Sequence, residues 1–286
     1  MPRRDGEVRF GLTGAAMMWS RGLGVFGLTI VTVIFLGLPL VSLIVRTIEE
    51  VRDRGDIAES TWIILRQALV LSLWSSLVAL ILIVVFGTPL AYALARRRFR
   101  GAALVDTLVD LPMILPPAVA GLALLMAFGR RGVLGSELDA LGFTLAFSTG
   151  AVIVAQVFVA CPFYIRSARA GFARVDPDLE RAAADLGAPP WRVFVRITLP
   201  LVRPSLLAGG ILAWARALGE FGATIMFAGN FPGTTQTMPL AIYQRYEAGD
   251  LTTALFLAVV LLAASFVILL VVRLGLGRGA SIGPGS

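Results

Sequence analysis

The chain has 286 residues, 57% of them hydrophobic, and a mean hydropathy of +0.85, which excludes a soluble globular domain. It carries 25 basic against 18 acidic residues, and every basic residue is arginine. With no His, no Lys and one Cys (Cys161), it excludes zinc clusters, disulfides, His-based triads and a phosphate-binding Gly-Lys-Ser/Thr loop, so any ATP that drives it is hydrolysed by another subunit.

Apolar runs of about 20 residues recur, each long enough for a hydrocarbon core roughly 30 Å thick. In lipid the backbone must satisfy its own polar groups, so these runs are helices. The predicted fold is an all-α polytopic membrane protein of six transmembrane helices, with a helix-turn-helix loop and both termini in the cytoplasm. Residues 1–22 form a polar-to-mixed lead with Arg3, Arg4, Arg9 and Arg21. The first span, 23–45, is too long for a signal-peptide core and has no small-x-small site after it, so it reads as an uncleaved anchor. A charged loop over 46–66 follows.

The second span, 67–95, ends in Arg96, Arg97, Arg98 and Arg100. That cluster reads as a topology signal and not as a nucleic-acid patch. The third span, 102–128, is interrupted by Pro112, Pro116 and Pro117. Proline inside a membrane helix frees carbonyls and kinks the axis, which suits a helix lining a cavity, so Pro116 is a candidate pathway residue. A purely architectural kink is the alternative. A short loop, 129–147, holds Arg130 and Arg131, and the fourth span covers 148–165.

Residues 176–200 read as two short helices joined by a tight turn. Asp176 caps the first, with Pro177 at its opening position, where a missing N–H costs nothing. Ala182, Ala183 and Ala184 favour helix, and Gly187 supplies the left-handed residue that ends it. Pro189 and Pro190 start the second helix, whose Trp191, Val193 and Phe194 offer apolar anchors to a partner groove. Leu199 and Pro200 lead into the fifth span, 201–228. A polar, re-entrant-sized loop over 229–250 and a sixth span, 251–272, complete a transmembrane domain of 23–273, with a tail over 274–286. Loops on the side of the 176–200 segment carry 17 Arg and those on the other side 7, which places that segment and both termini in the cytoplasm.

Arg216 and Glu220 stand four apart in the fifth span. Intramembrane charges default to functional sites, with a structural ion pair as the alternative. Thr224, Asn230, Thr234, Thr235 and Gln236 supply hydroxyl and amide donors near the outer end of the pathway. Glu220 would repel an anion unless Arg216 neutralises it. The preferred reading is therefore an internal pair in a weakly binding pathway.

The 176–200 segment resembles the coupling loop of ABC importer permeases. Ala182, Ala183, Gly187, Ile197, Leu199 and Pro200 match that motif in register, while Arg181 fills its Glu position and Glu180 lies one residue earlier. The segment 219–224 (Gly-Glu-Phe-Gly-Ala-Thr), with Gly229, Asn230, Pro232, Gly233, Thr237 and Pro239, and with residues 115–135, is similar to permeases of molybdate-type oxyanion importers. The likeness covers roughly residues 60–275.

The resemblance implies a transport subunit, not an enzyme, in a bacterial or archaeal plasma membrane. It would bind no cofactor itself, ATP-Mg being held by partner ABC ATPase subunits. Glu180, Arg181, Ala182, Ala183, Gly187, Trp191, Phe194 and Pro200 would form the ATPase-coupling loop. Pro116, Arg216, Glu220, Thr224, Asn230 and Thr235 are pathway candidates. Further partners would be a periplasmic or lipid-anchored oxyanion-binding protein, which Arg130 and Arg131 would dock, and a second permease copy in a homodimer, but no nucleic acid. Two alternatives stay open: a sulfate or thiosulfate permease, and an ion-coupled secondary anion transporter using Asp106 and Asp110.

Overall fold

The computed structural model describes residues 12–280, apart from 56, 57, 98 and 143, with side chains over 26–270 apart from 54 as well. Residues 1–11 of the 1–22 lead, with Arg3, Arg4 and Arg9, lie outside the described residues, as do Arg98 and the end of the tail, while 12–22 are already helical. Secondary structure among the described residues is entirely helical, and the chain divides into two units, 1–56 and 57–286.

Among its described residues the first unit is one helix, α1 (Leu12–Arg54). Its side chains from Phe26 to Val45 are mostly apolar and largely exposed, as in Phe35 at 75% and Leu28 at 70%. A helix apolar all round needs a non-aqueous surrounding. The charged residues 46–54 continue this helix and do not form a loop: they are good helix formers, and Arg46 pairs with Glu49 one turn on. The break comes at Gly55, whose φ of +82° suits only glycine.

The second unit starts with α2 (Glu59–Arg96), whose 38 residues span about 57 Å and outreach a bilayer core. The predicted third span is two helices, α3 (Ala102–Ile114) and α4 (Pro117–Phe128), separated at Leu115 and Pro116. Pro116 and Pro117 together leave no N–H to carry the ladder across, so a kink becomes a break. A short helix, α5 (Gly135–Ala140), lies in the next loop. α6 (Thr149–Arg174), capped by Ser148 accepting from Ala151 N, runs beyond its predicted span.

The 176–200 segment forms α7 (Pro177–Asp185) and α8 (Pro190–Val193), and a π-helical turn, Phe194–Thr198, joins α8 to α9 (Leu199–Leu218). The predicted fifth span also breaks, at Gly219–Phe221, before α10 (Gly222–Ala228). The polar 229–250 stretch is partly helical, as α11 (Met238–Glu247), and α12 (Leu251–Ala280) follows. Five of these helical stretches are long and apolar enough to cross a membrane, and α4 is a shorter apolar helix.

α6 is the centre of the second unit, packing on α2, α3, α9 and α10. Tyr164 and Phe172 are fully buried there beside Ile83 and Val202. α6 and α9 approach through small residues. A Cβ on Gly171 would lie 2.5 Å from Ser205 Cβ, one on Gly209 would lie 2.7 Å from Ser167 Cβ, and Ser167 Oγ donates to Ser205 O at 2.7 Å. Close backbone approach through small side chains is how helices associate where lipid removes the hydrophobic drive.

Candidate functional site: coupling loop and broken helices

The 176–200 segment is capped at both ends of its first helix. Asp176 accepts from Asp178 N at 2.9 Å, capping α7. At its other end Gly187 has φ +82°, Gly187 N donates to Ala184 O at 2.9 Å and Ala188 N to Ala183 O at 3.0 Å. That pair of bonds is a Schellman stop, which satisfies carbonyls that would otherwise be orphaned.

Glu180 turns inward from α7. Its Oε1 accepts from Thr198 Oγ1 at 2.6 Å and from Arg96 Nη2 at 3.3 Å, tying the loop to the π turn and to the end of α2. Arg181 faces away and pairs with exposed Asp178 at 2.6 Å. Ala182 is exposed and Ala183 half-buried, while Pro200 lies in the first turn of α9. The π turn sets one extra residue in the helix, with Leu199 N bonded to Phe194 O, and so brings buried Thr198 under Glu180. Arg96 and Thr198 were missed from the sequence. Arg96 is indistinguishable from its neighbours in a basic run, and Thr198 occupies the free position of an Ile-x-Leu-Pro motif.

The apolar anchors divide differently from expectation. Val193 is buried, and part-buried Phe194 packs edge-on to Tyr92 at 5.5 Å and stacks on Phe172 at 6.3 Å, so both also hold the loop to the bundle. Trp191 is 65% exposed, with the Arg192 guanidinium 5.6 Å from its ring centroid. Leu186, which no motif singles out, is 90% exposed on the same loop. Between loop and bundle lies a cavity of about 270 Å³ bounded by Tyr92, Glu180, Phe194 and Thr198.

The two broken helices meet. A Cβ on Gly222 would fall 2.4 Å from Pro117 Cβ, and one on Gly121 would fall 2.6 Å from Met226 Cβ, so α4 and α10 touch backbone to backbone beside both breaks. Glu220 lies in its break and not on a continuous helical face. It is 1% exposed, its Oε2 is 2.7 Å from Arg216 Nη1, and its Oε1 accepts from Ala223 N at 2.8 Å. A carboxylate at the start of α10 balances both the guanidinium and the helix's positive end. Pro116 is exposed at the other break, and Thr224 is fully buried with no hydrogen-bond partner for its Oγ1 among the described residues.

Of the expected donors beyond α10, the side chains of Asn230, Thr235 and Gln236 are engaged within the same 229–250 stretch, while that of Thr234 is exposed. Thr235 Oγ1 accepts from Phe231 N at 3.0 Å, and the N–H groups of Thr234, Thr235 and Gln236 converge on Phe231 O. Asn230 donates to Leu240 O at 3.2 Å and accepts from Gln236 Nε2 at 3.0 Å, while Gln236 also bonds Gln244. Asn230 and Thr235 thus brace a compact turn, because a buried amide or hydroxyl must be satisfied locally. Elsewhere, Arg130 is 3.9 Å from Asp139, both exposed, and Arg131 is exposed. Asp106 pairs with Arg169 and Asp110 with Arg166, which makes them struts between α3 and α6.

Comparison with known proteins places residues 85–275 on the family model described as binding-protein-dependent transport system inner membrane component. The molybdenum transport system permease protein ModB of Mycobacterium bovis is 42% identical over 252 residues, 88% of this chain and 92% of that one. ModB of Escherichia coli K12 is 43% identical over 207 residues, 72% of this chain and 90% of that one. A probable sulfate transport system permease protein of Chlorokybus atmophyticus is 35% identical over 81% of each chain. Among solved structures, a bacterial ABC transporter involved in the import of the acidic polysaccharide alginate aligns over 95% of this chain and 99% of its own, with TM-score 0.70 at 17% identity, a likeness of fold.

Proposed function

The chain belongs to the binding-protein-dependent transport system inner membrane components, the permease subunits of ABC importers, and from that premise we propose that it passes a tetrahedral oxyanion, molybdate or its near twin tungstate. The observation that carries the substrate is the similarity to the two molybdenum permeases across most of the chain. The sulfate permease relative keeps sulfate as a second reading.

In this proposal two identical permease copies form the pathway in a bacterial or archaeal plasma membrane. Two partner ATPase subunits grip the coupling loops and hold the ATP-Mg, and a capture protein outside the cell delivers the anion. Leu186 and Trp191 are the apolar knobs offered to the ATPase. Glu180, held by Thr198 and Arg96, transmits the displacement of α7 to α9 and α2. The Arg216–Glu220 pair cancels its own charge, so the pathway binds the dianion weakly and lets it leave. Arg130 and Arg131 steer the capture protein, a role rim charges perform chiefly through encounter rate. Pairing of Asp106 and Asp110 with arginines argues against proton or sodium coupling through those carboxylates.

The test is ATPase activity of the permease reconstituted with its ATPase and capture protein, titrated with molybdate, tungstate and sulfate in turn. Stimulation by molybdate or tungstate alone is expected. Stimulation by sulfate alone would replace the substrate and keep the importer.

A further inference from the structure

A cavity of about 530 Å³ opens on the surface of the second unit, lined by Ile63, Arg66, Gln67, Val70, Trp74 and Gly233 among others. Arg66 has no ion-pair or hydrogen-bond partner among the described residues. Arg96, Arg166, Arg169 and Arg181, by contrast, each meet a carboxylate. A free guanidinium beside a carboxamide is an anion-binding pair, since both present N–H donors in fixed planes.

Depth narrows the choice of anion. Arg66 precedes Arg96 by 30 positions on one continuous helix, about 45 Å along its axis, whereas a hydrocarbon core is roughly 30 Å thick. Arg96 is tied to the coupling loop at one membrane face, so Arg66 stands at headgroup level on the other. Below it, Val70, Trp74, Leu77 and Ile81 continue the face of Ile63 and Gln67 at alternating spacings of four and three, and all four are exposed. The cavity therefore has a cationic top and an apolar wall that runs on down the helix. A bare four-oxygen anion would use only the top.

We propose that this cavity binds an anionic phospholipid, with its phosphate on Arg66 and Gln67 and an acyl chain along Val70, Trp74 and Leu77. The inference does not depend on which oxyanion is transported.

The experiment is native mass spectrometry of the full chain, copurified with its ATPase in mild detergent and titrated with phosphatidylglycerol or phosphatidylcholine. Wild type is expected to retain phosphatidylglycerol adducts. Arg66→Gln should weaken that retention about tenfold or more, the usual worth of a charge-assisted contact, and leave phosphatidylcholine adducts unchanged. Arg66→Lys should fall between, and copurification with the ATPase shows that each variant is folded. Equal phosphatidylglycerol retention by wild type and Arg66→Gln, or no adducts in wild type, would overturn the proposal. So would Arg66-dependent displacement of the lipid by excess free molybdate, which would give the guanidinium to the soluble anion instead.

Discussion

Glu220 is buried beside lipid-spanning helices, and only its two partners make that tolerable: the Arg216 guanidinium at 2.7 Å and the Ala223 N–H at 2.8 Å. Removing one member of such a pair strands the other charge, at a cost of about 3–5 kcal/mol, whereas removing both is far milder. Arg216→Met is accordingly expected to reduce thermal stability and membrane yield sharply, and Arg216→Met with Glu220→Gln to restore much of both. A double variant no more stable than the single would show that the pair is not self-compensating. Gly121 makes a different demand, for space. Its missing Cβ leaves room for Met226 and Ala223, so Gly121→Val should destabilise by about 1–3 kcal/mol, read as a lowered Tm of the purified permease. The Arg216–Glu220 pairing was legible from a spacing of four. The capping of α10 was not, because Glu220 sits in an apolar stretch where periodicity alone implies one unbroken helix.

At the scale of elements, the coupling loop was the most readable part of the chain. Its residues act locally: Asp176 caps, Pro177 opens, Gly187 stops, and each needs only its immediate neighbours. Gly187 has nothing within 4 Å of where a Cβ would stand, so the demand there is backbone conformation and not room. Gly187→Val should therefore cost about 1–2 kcal/mol in the loop and uncouple ATP hydrolysis from transport, while Gly187→Asn should remain coupled. The readout is ATPase stimulation by loaded capture protein; wild-type stimulation in the valine variant would refute the expectation. Less readable were elements whose ends depend on distant packing. The break at Gly219–Phe221 forms where α10 must meet α4, and α11 draws its N-terminal partner, Ser72 Oγ, from another helix, accepting from Met238 N at 2.7 Å. The extension of α1 through 46–54 was hidden because charge was read as loop, although Arg and Glu are good helix formers.

For the molecule as a whole, the sequence counts and the three-dimensional contacts rest on the same arginines in different roles. Those on the coupling side bias orientation by number, and they also pair with acids: Arg96 with Glu180, Arg166 with Asp110, Arg169 with Asp106. The orientation can be tested directly because Cys161 is the sole cysteine. In a Cys161→Ala background, Ser136→Cys should react with an impermeant thiol reagent added outside intact cells, and Ala184→Cys only after the membrane is opened. The reverse pattern would invert the molecule in the membrane. The fold class was visible from hydropathy because a bilayer imposes one solution on long apolar runs. The pathway candidates were harder, since a donor-rich sequence is equally good material for a self-bonded turn, and Asn230 and Thr235 are used that way.

The π turn at Phe194–Thr198 also constrains how the chain can vary. In an α-helix each residue advances the azimuth by about 100°. Five residues bonded with one to spare therefore act as a phase correction between the loop and the span that follows. Closing that turn to ordinary α pitch with all five residues kept would swing everything upstream by roughly a quarter-turn and carry Glu180 off Thr198. The link keeps its chemistry only by keeping its wider turn.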